Sequence, residues 1–327
     1  MTTTVAPSYV ATLERLIEDV VAPGAAHVDE AGSFPQAGIE ALKRSGLLAL
    51  ISSKEVGGLG EGHRAAAYVV EQLAKVCPST AMVTCMHYCA AAVIEAFGPV
   101  ELRQAIARGE HVSTLAFSEA GSRSHFWAPV STATVSGDQV VIEAKKSWVT
   151  SAGHADSYVW SSQASAGEGS TIWLVPSDAR GLKIAAPFNG LGLRGNASSP
   201  ITGEGVTLPL SHRLGTDGQG FEIMMQVVLP YFSLMNAAVS VGISEAATQR
   251  AAAHCSGTSF QHLSSALSDL PTIRAYLARM RCKTDAARAL LNDALSALEA
   301  GKPETMLRVL EVKAVGAETS TEVTELA

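Results

Sequence analysis

From Tyr9 to Arg108, apolar residues recur at helical spacing. Leu13, Leu16, Ile17, Val20 and Val21 form one stripe, and a second runs from His63 to Val76. Between them VGGLGEG (56–62) is a turn, since paired glycines adopt positive φ without steric cost. Pro78 and Ser79 open a third helix, predicted through Ala96 and stopped by Phe97-Gly98-Pro99. From about Val112 to Leu214 the period becomes two. TATVSGDQVVIEA reads as a hairpin turning at Ser136-Gly137-Asp138, and DSYVWSSQ and STIWLVP as strands around the exposed linker ASAGEG. LKIAAPF and ITGEGVTLP continue the pattern.

After Gly218-Gln219-Gly220 the helical period returns, with Leu234, Ala238 and Val241 on one face. A longer helix starts at Asp269-Leu270-Pro271, read as an N-cap followed by an early proline. Its stripe runs from Ile273 through Met280 and Leu291 to Leu298 and stops at GKP. A last helical segment, ETMLRVLEVKAVGAETSTEVTELA, carries the chain to its final residue. The pattern predicts an α+β multidomain fold. An N-terminal helical domain spans 1–111, a middle β-barrel domain or small sandwich 112–217, and a C-terminal helical bundle 218–327.

Composition narrows the function classes. Of 327 residues, 47% are hydrophobic and 17% charged, which excludes disorder. The net charge of −7, without a block of Lys or Arg, argues against a nucleic-acid partner. The five cysteines are irregularly spaced, as expected of reduced thiols in a cytoplasmic protein. The N-terminus lacks the order of a signal peptide, and no run reaches the roughly 18 uninterrupted apolar residues expected of a membrane span.

Two stretches of the middle domain carry the candidate chemistry. LAFSEAGSRSHFWAP (115–129) and KSWVTSAGHAD (146–156) each join hydroxyls and a glycine turn to an aromatic. The set suits a flat heteroaromatic ligand: Trp148 covers a ring face while Ser118 and Thr150 bond its polar edge. In the competing reading Trp148 and Trp127 are core aromatics and the serines are turn residues. Cys85, His87 and Cys89 resemble metal ligands, but His87 points away from the helix face the cysteines share, so they read as core. His125 reads as a structural histidine, Glu119 as a cap on backbone amides, and Glu95 and Glu245 as solvated charges.

The order of a helical domain, "EVGGLG", "SEAGSRS", "KKSWVTSAGHAD", "GLGLRGNASSP" and "LGTDGQGFEIMM" resembles the acyl-CoA dehydrogenase family of flavoproteins over nearly the whole chain. The resemblance implies an FAD-dependent oxidoreductase of fatty acid metabolism, usually a homotetramer. It would perform α,β-dehydrogenation of an acyl thioester on CoA or a carrier protein and pass electrons to a separate acceptor. Alternatives are a flavin-dependent monooxygenase of the same fold, or a non-catalytic subunit that completes an oligomer.

Carried over by position, Ser118 bonds the flavin ring, Trp148 flanks it and Thr150 bonds it. The backbone of Ala116, Phe117 and Ser118 faces the ring edge. Ser124 lies near the cofactor diphosphate and the substrate's pantetheine arm. Arg194 shapes the substrate and cofactor mouth, with a structural salt bridge as the other reading.

Three departures accompany the resemblance. The family's usual catalytic Glu falls beyond Ala327, so the last helical domain is expected to be incomplete and the catalytic residue is unknown. An alternative base site on the first C-terminal helix maps to Phe232 and Ser233, and a phenyl ring takes up no proton. Gly257 stands where an Arg would reach a neighbouring subunit's diphosphate if Phe260 marks the motif. Arg123, in a normally Gly-rich turn, is either a local substitute for it or a surface residue.

Overall fold

The computed structural model describes residues 7–327 except 124, 261, 263 and 264. The N-terminal helices are α1 (Ser8–Leu16), α2 (Ala22–Ala31), α3 (Gln36–Arg44), α4 (His63–Ala74), α5 (Pro78–Phe97) and α6 (Val100–Ala107). Helix α5 starts on a proline, whose fixed φ suits the first turn, and is buried around most of its circumference. Its Cys85, His87 and Cys89 are all inside the core. The Tyr88 hydroxyl donates to Leu47 O at 2.6 Å. His87 accepts the Ser113 N–H at Nδ1 (3.2 Å), so Nε2 carries the proton and donates to Leu48 O (3.1 Å). One imidazole thus fastens α5 both to the chain after α3 and to the first strand of the next domain.

The middle domain contains β1 (Ser113–Ala116), β2 (Thr132–Ser136), β3 (Gln139–Val149), β4 (Ser157–Gln163), β5 (Ser170–Pro176), β6 (Leu182–Ile184), β7 (Ser199–Pro209) and β8 (Arg213–Leu214). They do not close into the expected barrel. They form two four-stranded sheets, ordered β1-β4-β5-β8 and β2-β3-β7-β6, with β1 parallel to β4 and every other pair antiparallel. No ladder of these named strands joins the two sheets, so each keeps its own edges. The hairpin at Gly137 forms as expected.

Strands β4 and β5 are buried on both faces, and their alternation shows why. Tyr158, Trp160 and Trp173 fill the space between the sheets, while Val159, Ile172 and Leu174 belong to the helical core. The first sheet is therefore the layer that joins the domains.

The C-terminal domain begins with α7 (Gly220–Ile223) and a π-helical turn that leads into α8 (Leu229–Gly257). A short ribbon, β9 (Ser259–Phe260) with β10 (Ser265–Ala266), precedes α9 (Pro271–Glu299) and α10 (Thr305–Leu326). Asp269 does not cap α9. It accepts the Ala266 N–H at 2.8 Å, closing a 3₁₀ turn, and extended Leu270 holds the N-cap position. Helices α4 and α8 meet so closely that a Cβ at Gly242 would lie 2.5 Å from Glu71 O.

Two expected surface charges are interior ones. Glu245 is buried between Arg281 (2.8 Å) and Arg288 (2.9 Å), and Arg288 also reaches Glu71 at 3.1 Å. Glu95 pairs with Arg103 at 2.9 Å. Helices Pro78–Phe97 and Gly220–Gly257 are long and apolar enough to cross a membrane, yet 72% of each apolar window is buried within this fold. Here they are core helices.

Candidate cofactor and substrate pocket

Strand β1 leaves the core at Ala116, whose side chain packs between the sheets and whose register partner is Trp160. Phe117 and Ser118 follow, and the Ser147 N–H donates to Ser118 O at 2.8 Å. This bond lays Ser118 beside the end of β3. There the register against β7 shifts between Lys146 and Val149, and Trp148 adopts a left-handed φ of 58°. A bulky residue pays roughly 1–2 kcal/mol for that conformation. The bulge turns the indole out of the fold: Trp148 is 63% exposed and stacks on Phe188, with ring centroids 4.1 Å apart. Trp148 is thus not a core aromatic.

A pocket of about 100 Å3 opens between this edge and the helices. Phe117, Ser118, Ser147 and Trp148 form its β wall, with Leu115 behind them. Met86 of α5 and Leu229 and Phe232 of α8 form the opposite wall, while Val228 and Phe126 close the sides. Among the described residues, no ionisable side chain lines it.

The charges stand behind the β wall. Along β3, Lys145 faces out and Lys146 faces in, which resolves the paired lysines of the sequence. Lys146 Nζ donates to Glu119 Oε1 (2.6 Å), Ser161 O (2.6 Å) and Ser161 Oγ (3.0 Å). Glu119 also accepts from Val130 N–H (2.6 Å) and from the Ser131 N–H and hydroxyl (3.1 and 2.5 Å).

Burial pushes the Lys146 pKa down to about 8 against the pull of Glu119, so the ammonium persists at neutral pH. Burial pushes Glu119 up, but the ammonium and the hydrogen-bond donors outweigh it and hold the carboxyl below its ordinary range. Glu119 is one residue from Ser118, and Lys146 one residue from Ser147. The pair therefore fixes both wall serines from the dry side.

The other candidates are dispersed. Thr150 is buried just past the bulge, its hydroxyl 3.4 Å from that of Ser198, and does not line the pocket. Ser124 lies outside the described residues. Arg194 leans on the end of α2 beside Gly32, and its Nε is buried without a partner. No ion pair forms at Arg194 among the described residues, so the salt-bridge reading fails.

Arg123 and His125 are exposed, His125 edge-on to Trp127. Ser233 is wholly buried with an unpartnered hydroxyl, and Gly257 ends α8. Glu119 caps the Val130 and Ser131 amides as expected, whereas Ser147, Phe126, Phe188 and the pairing of Glu119 with Lys146 are additions that sequence reading missed. The in–out alternation of β3 signals Lys146, but nothing local signals Phe188.

A second cleft of about 510 Å3 lies alongside, with Trp127, Pro129, Glu168 and Phe221 in its wall. Phe126 faces the first pocket and its neighbour Trp127 the second, so one turn borders both.

Comparison with known proteins gives a consistent match. Residues 8–109 match the family description "Acyl-CoA dehydrogenase, N-terminal domain", residues 114–206 the middle domain and residues 218–327 the C-terminal domain. A short-chain specific acyl-CoA dehydrogenase of Clostridium acetobutylicum is 26% identical over 302 residues, covering 90% of this chain and 79% of the relative. The butyryl-CoA dehydrogenase of Megasphaera elsdenii superposes with a TM-score of 0.90 at 22% identity, covering 100% of this chain and 88% of that one. An FAD complex of PigA superposes with a TM-score of 0.88 at 18% identity, covering 99% and 87%.

Proposed function

Because this chain belongs to the acyl-CoA dehydrogenase family, we propose that it binds FAD along the Ser118–Trp148 edge and dehydrogenates an acyl thioester at the α,β position. The observation that carries this reading is the outward indole of Trp148, held in a strained backbone beside Ser118 at the mouth of a dry pocket. A flat ring fits that edge: the indole offers a face, the Ser118 hydroxyl a hydrogen bond, and the backbone of Ala116 and Phe117 runs alongside. Thr150, whose hydroxyl makes only the long contact to Ser198, is the reserve donor for the ring's far edge. When bound, FAD supplies the two-electron acceptor.

The chain's own residues position and desolvate. Met86, Leu229 and Phe232 hold the acyl carbons against the ring and exclude water, which strengthens every polar contact made there. The Glu119–Lys146 pair keeps the serine wall in register. No residue of the described lining takes up the α proton, so we assign no catalytic base. That same lack of an ionisable group favours a second reading, a flavin-dependent monooxygenase, which needs no carboxylate base.

We place the substrate's carrier arm, CoA or carrier protein, in the Trp127–Phe221 cleft. A cytoplasmic homo-oligomer is our reading of the assembly: Met306, Leu307 and Leu310 leave an exposed apolar stripe on α10, and none of the five cysteines is paired. A separate protein accepts the electrons.

The test is anaerobic spectroscopy of the FAD-loaded protein with butyryl-CoA. Bleaching of the flavin bands is expected. Retained flavin that never bleaches with any acyl thioester, but consumes oxygen once reduced, overturns the dehydrogenase in favour of the oxygenase.

A further inference from the structure

We infer that Phe188 is a positioning residue: stacked on Trp148, it holds the indole in one orientation and leaves the opposite ring face presented beside Ser118. The inference rests on the reading of the Ser118–Trp148 edge as the flavin site, and it gives that edge a support from outside the pocket.

Phe188 lies on the strap between β6 and β7. Residues 185–187 and 189–192 of the strap are exposed, Leu191 completely, whereas Phe188 is half-buried. Its ring is thus the foothold of this stretch on the domain. The Phe188 N–H donates to Ser198 O at 2.8 Å, and the Ala185 N–H to Pro200 O at 3.1 Å. The chain just past the Trp148 bulge is tied to the same segment. There the Ser151 N–H donates to Asn196 O at 2.9 Å, and the Thr150 hydroxyl lies 3.4 Å from that of Ser198. Both rings are therefore carried by backbone anchored on residues 196–200, which sets their spacing.

The rings are close and near parallel, with centroids 4.1 Å and planes 27° apart. The left-handed φ of Trp148 aims its Cβ outward but does not choose among side-chain rotamers. An exposed indole hops among three χ1 wells and two broad χ2 orientations within nanoseconds. A ligand that needs one of these states binds more weakly in proportion to the population that state loses. Phe188 favours the state in which one indole face is already covered. It does not itself line the pocket, so it acts through Trp148 alone.

Fluorine NMR of the full chain labelled with fluorotryptophan tests this, together with FAD titration. Trp148 is assigned by the resonance that disappears in Trp148→Gly, while the buried Trp160 and Trp173 report an intact fold. In Phe188→Ala the Trp148 resonance should move toward that of a freely rotating, solvated indole, with Trp160 and Trp173 unmoved. FAD affinity, followed by quenching of flavin fluorescence, should fall by about two- to sixfold. Phe188→Tyr, which keeps the ring, should restore both.

A Trp148 resonance that stays in place in Phe188→Ala overturns the inference, because the phenyl ring then has no hold on the indole. So does a resonance that moves while FAD affinity is unchanged. Shifts at Trp160 and Trp173 as well assign Phe188 to folding instead of positioning, and overturn it too. In each of these cases the flavin site stands. If FAD does not bind the unsubstituted protein, the functional proposal falls and the inference falls with it.

Discussion

Glu119 and Lys146, behind the pocket, are almost wholly shielded from water, whereas Glu245, Arg281, Arg288 and Glu71 share a network between the helices that solvent still reaches. The first set is closed by backbone and hydroxyl groups: Val130, Ser131 and Ser161 complete the coordination of both ions. The second is closed by more charge, with Asp285 bonded to Arg281 and Arg288 at its outer edge. A lone ion pair in a dry interior depends on each partner being present, while a network at a helix joint spreads its loss over several contacts. The dry pair is the one next to the candidate site, directly behind Ser118 and Ser147.

Removing one ion from the dry pair should have the largest effect. Lys146→Met leaves Glu119 buried without its cation and is expected to cost about 3–5 kcal/mol in chemical denaturation. The double variant Glu119→Leu/Lys146→Met should recover most of that loss, because no uncompensated charge remains. If the single variant costs under about 1 kcal/mol, the two regions do not differ as argued.

Next comes the His87 joint between α5 and β1. Burial, the largest influence, pushes its pKa down to about 4, from 6.5. Below pH 6.5 the unfolded chain therefore takes up a proton that the folded one refuses. Stability is full above that pH and falls as pH drops toward 4, by about 2 kcal/mol between pH 7 and 5 from this residue alone. The slope of denaturation midpoints across that range should lessen in His87→Gln, with the remainder supplied by His63, which burial likewise pushes down to about 4.

In the network at the helix joint, Arg288→Ala should cost less, about 1–2 kcal/mol. Glu245, held near pKa 2 chiefly by the Arg281 hydrogen bond, should contribute stability above pH 4.5 that is lost toward pH 2.

Trp148→Gly sharpens the contrast most cleanly. Relief of the left-handed backbone offsets the lost stack with Phe188, so stability should move by less than about 1 kcal/mol. Flavin retention should nonetheless be lost.

Much of this arrangement could be read before folding, and the rest fails for a physical reason. The Gly137 hairpin and the Pro78 start are local, since a turn glycine and an N1 proline act within a few residues. Trp148 and Ser118 stand out because hydroxyls and an indole beside a turn are poor core residues. Barrel closure failed because it depends on which distant strands share edges. Alternation alone cannot state that β1 pairs with β4 and that β7 pairs with β3. Glu245 looked solvated for the same reason, as its arginines lie 36 and 43 residues on, around the turn into another helix. Phe188 meets Trp148 only once β6 and β7 have formed. Nothing in either residue's neighbourhood of sequence anticipates that stack.

The central claim is that Trp148 and Ser118 hold an isoalloxazine at the mouth of the pocket. Gel filtration of the full chain after incubation with excess FAD, followed by a visible absorption spectrum of the protein peak, tests it directly. The account predicts flavin bands that travel with the unsubstituted protein and vanish from a natively folded Trp148→Gly. A colourless peak for the unsubstituted protein, or equal flavin in both, contradicts it.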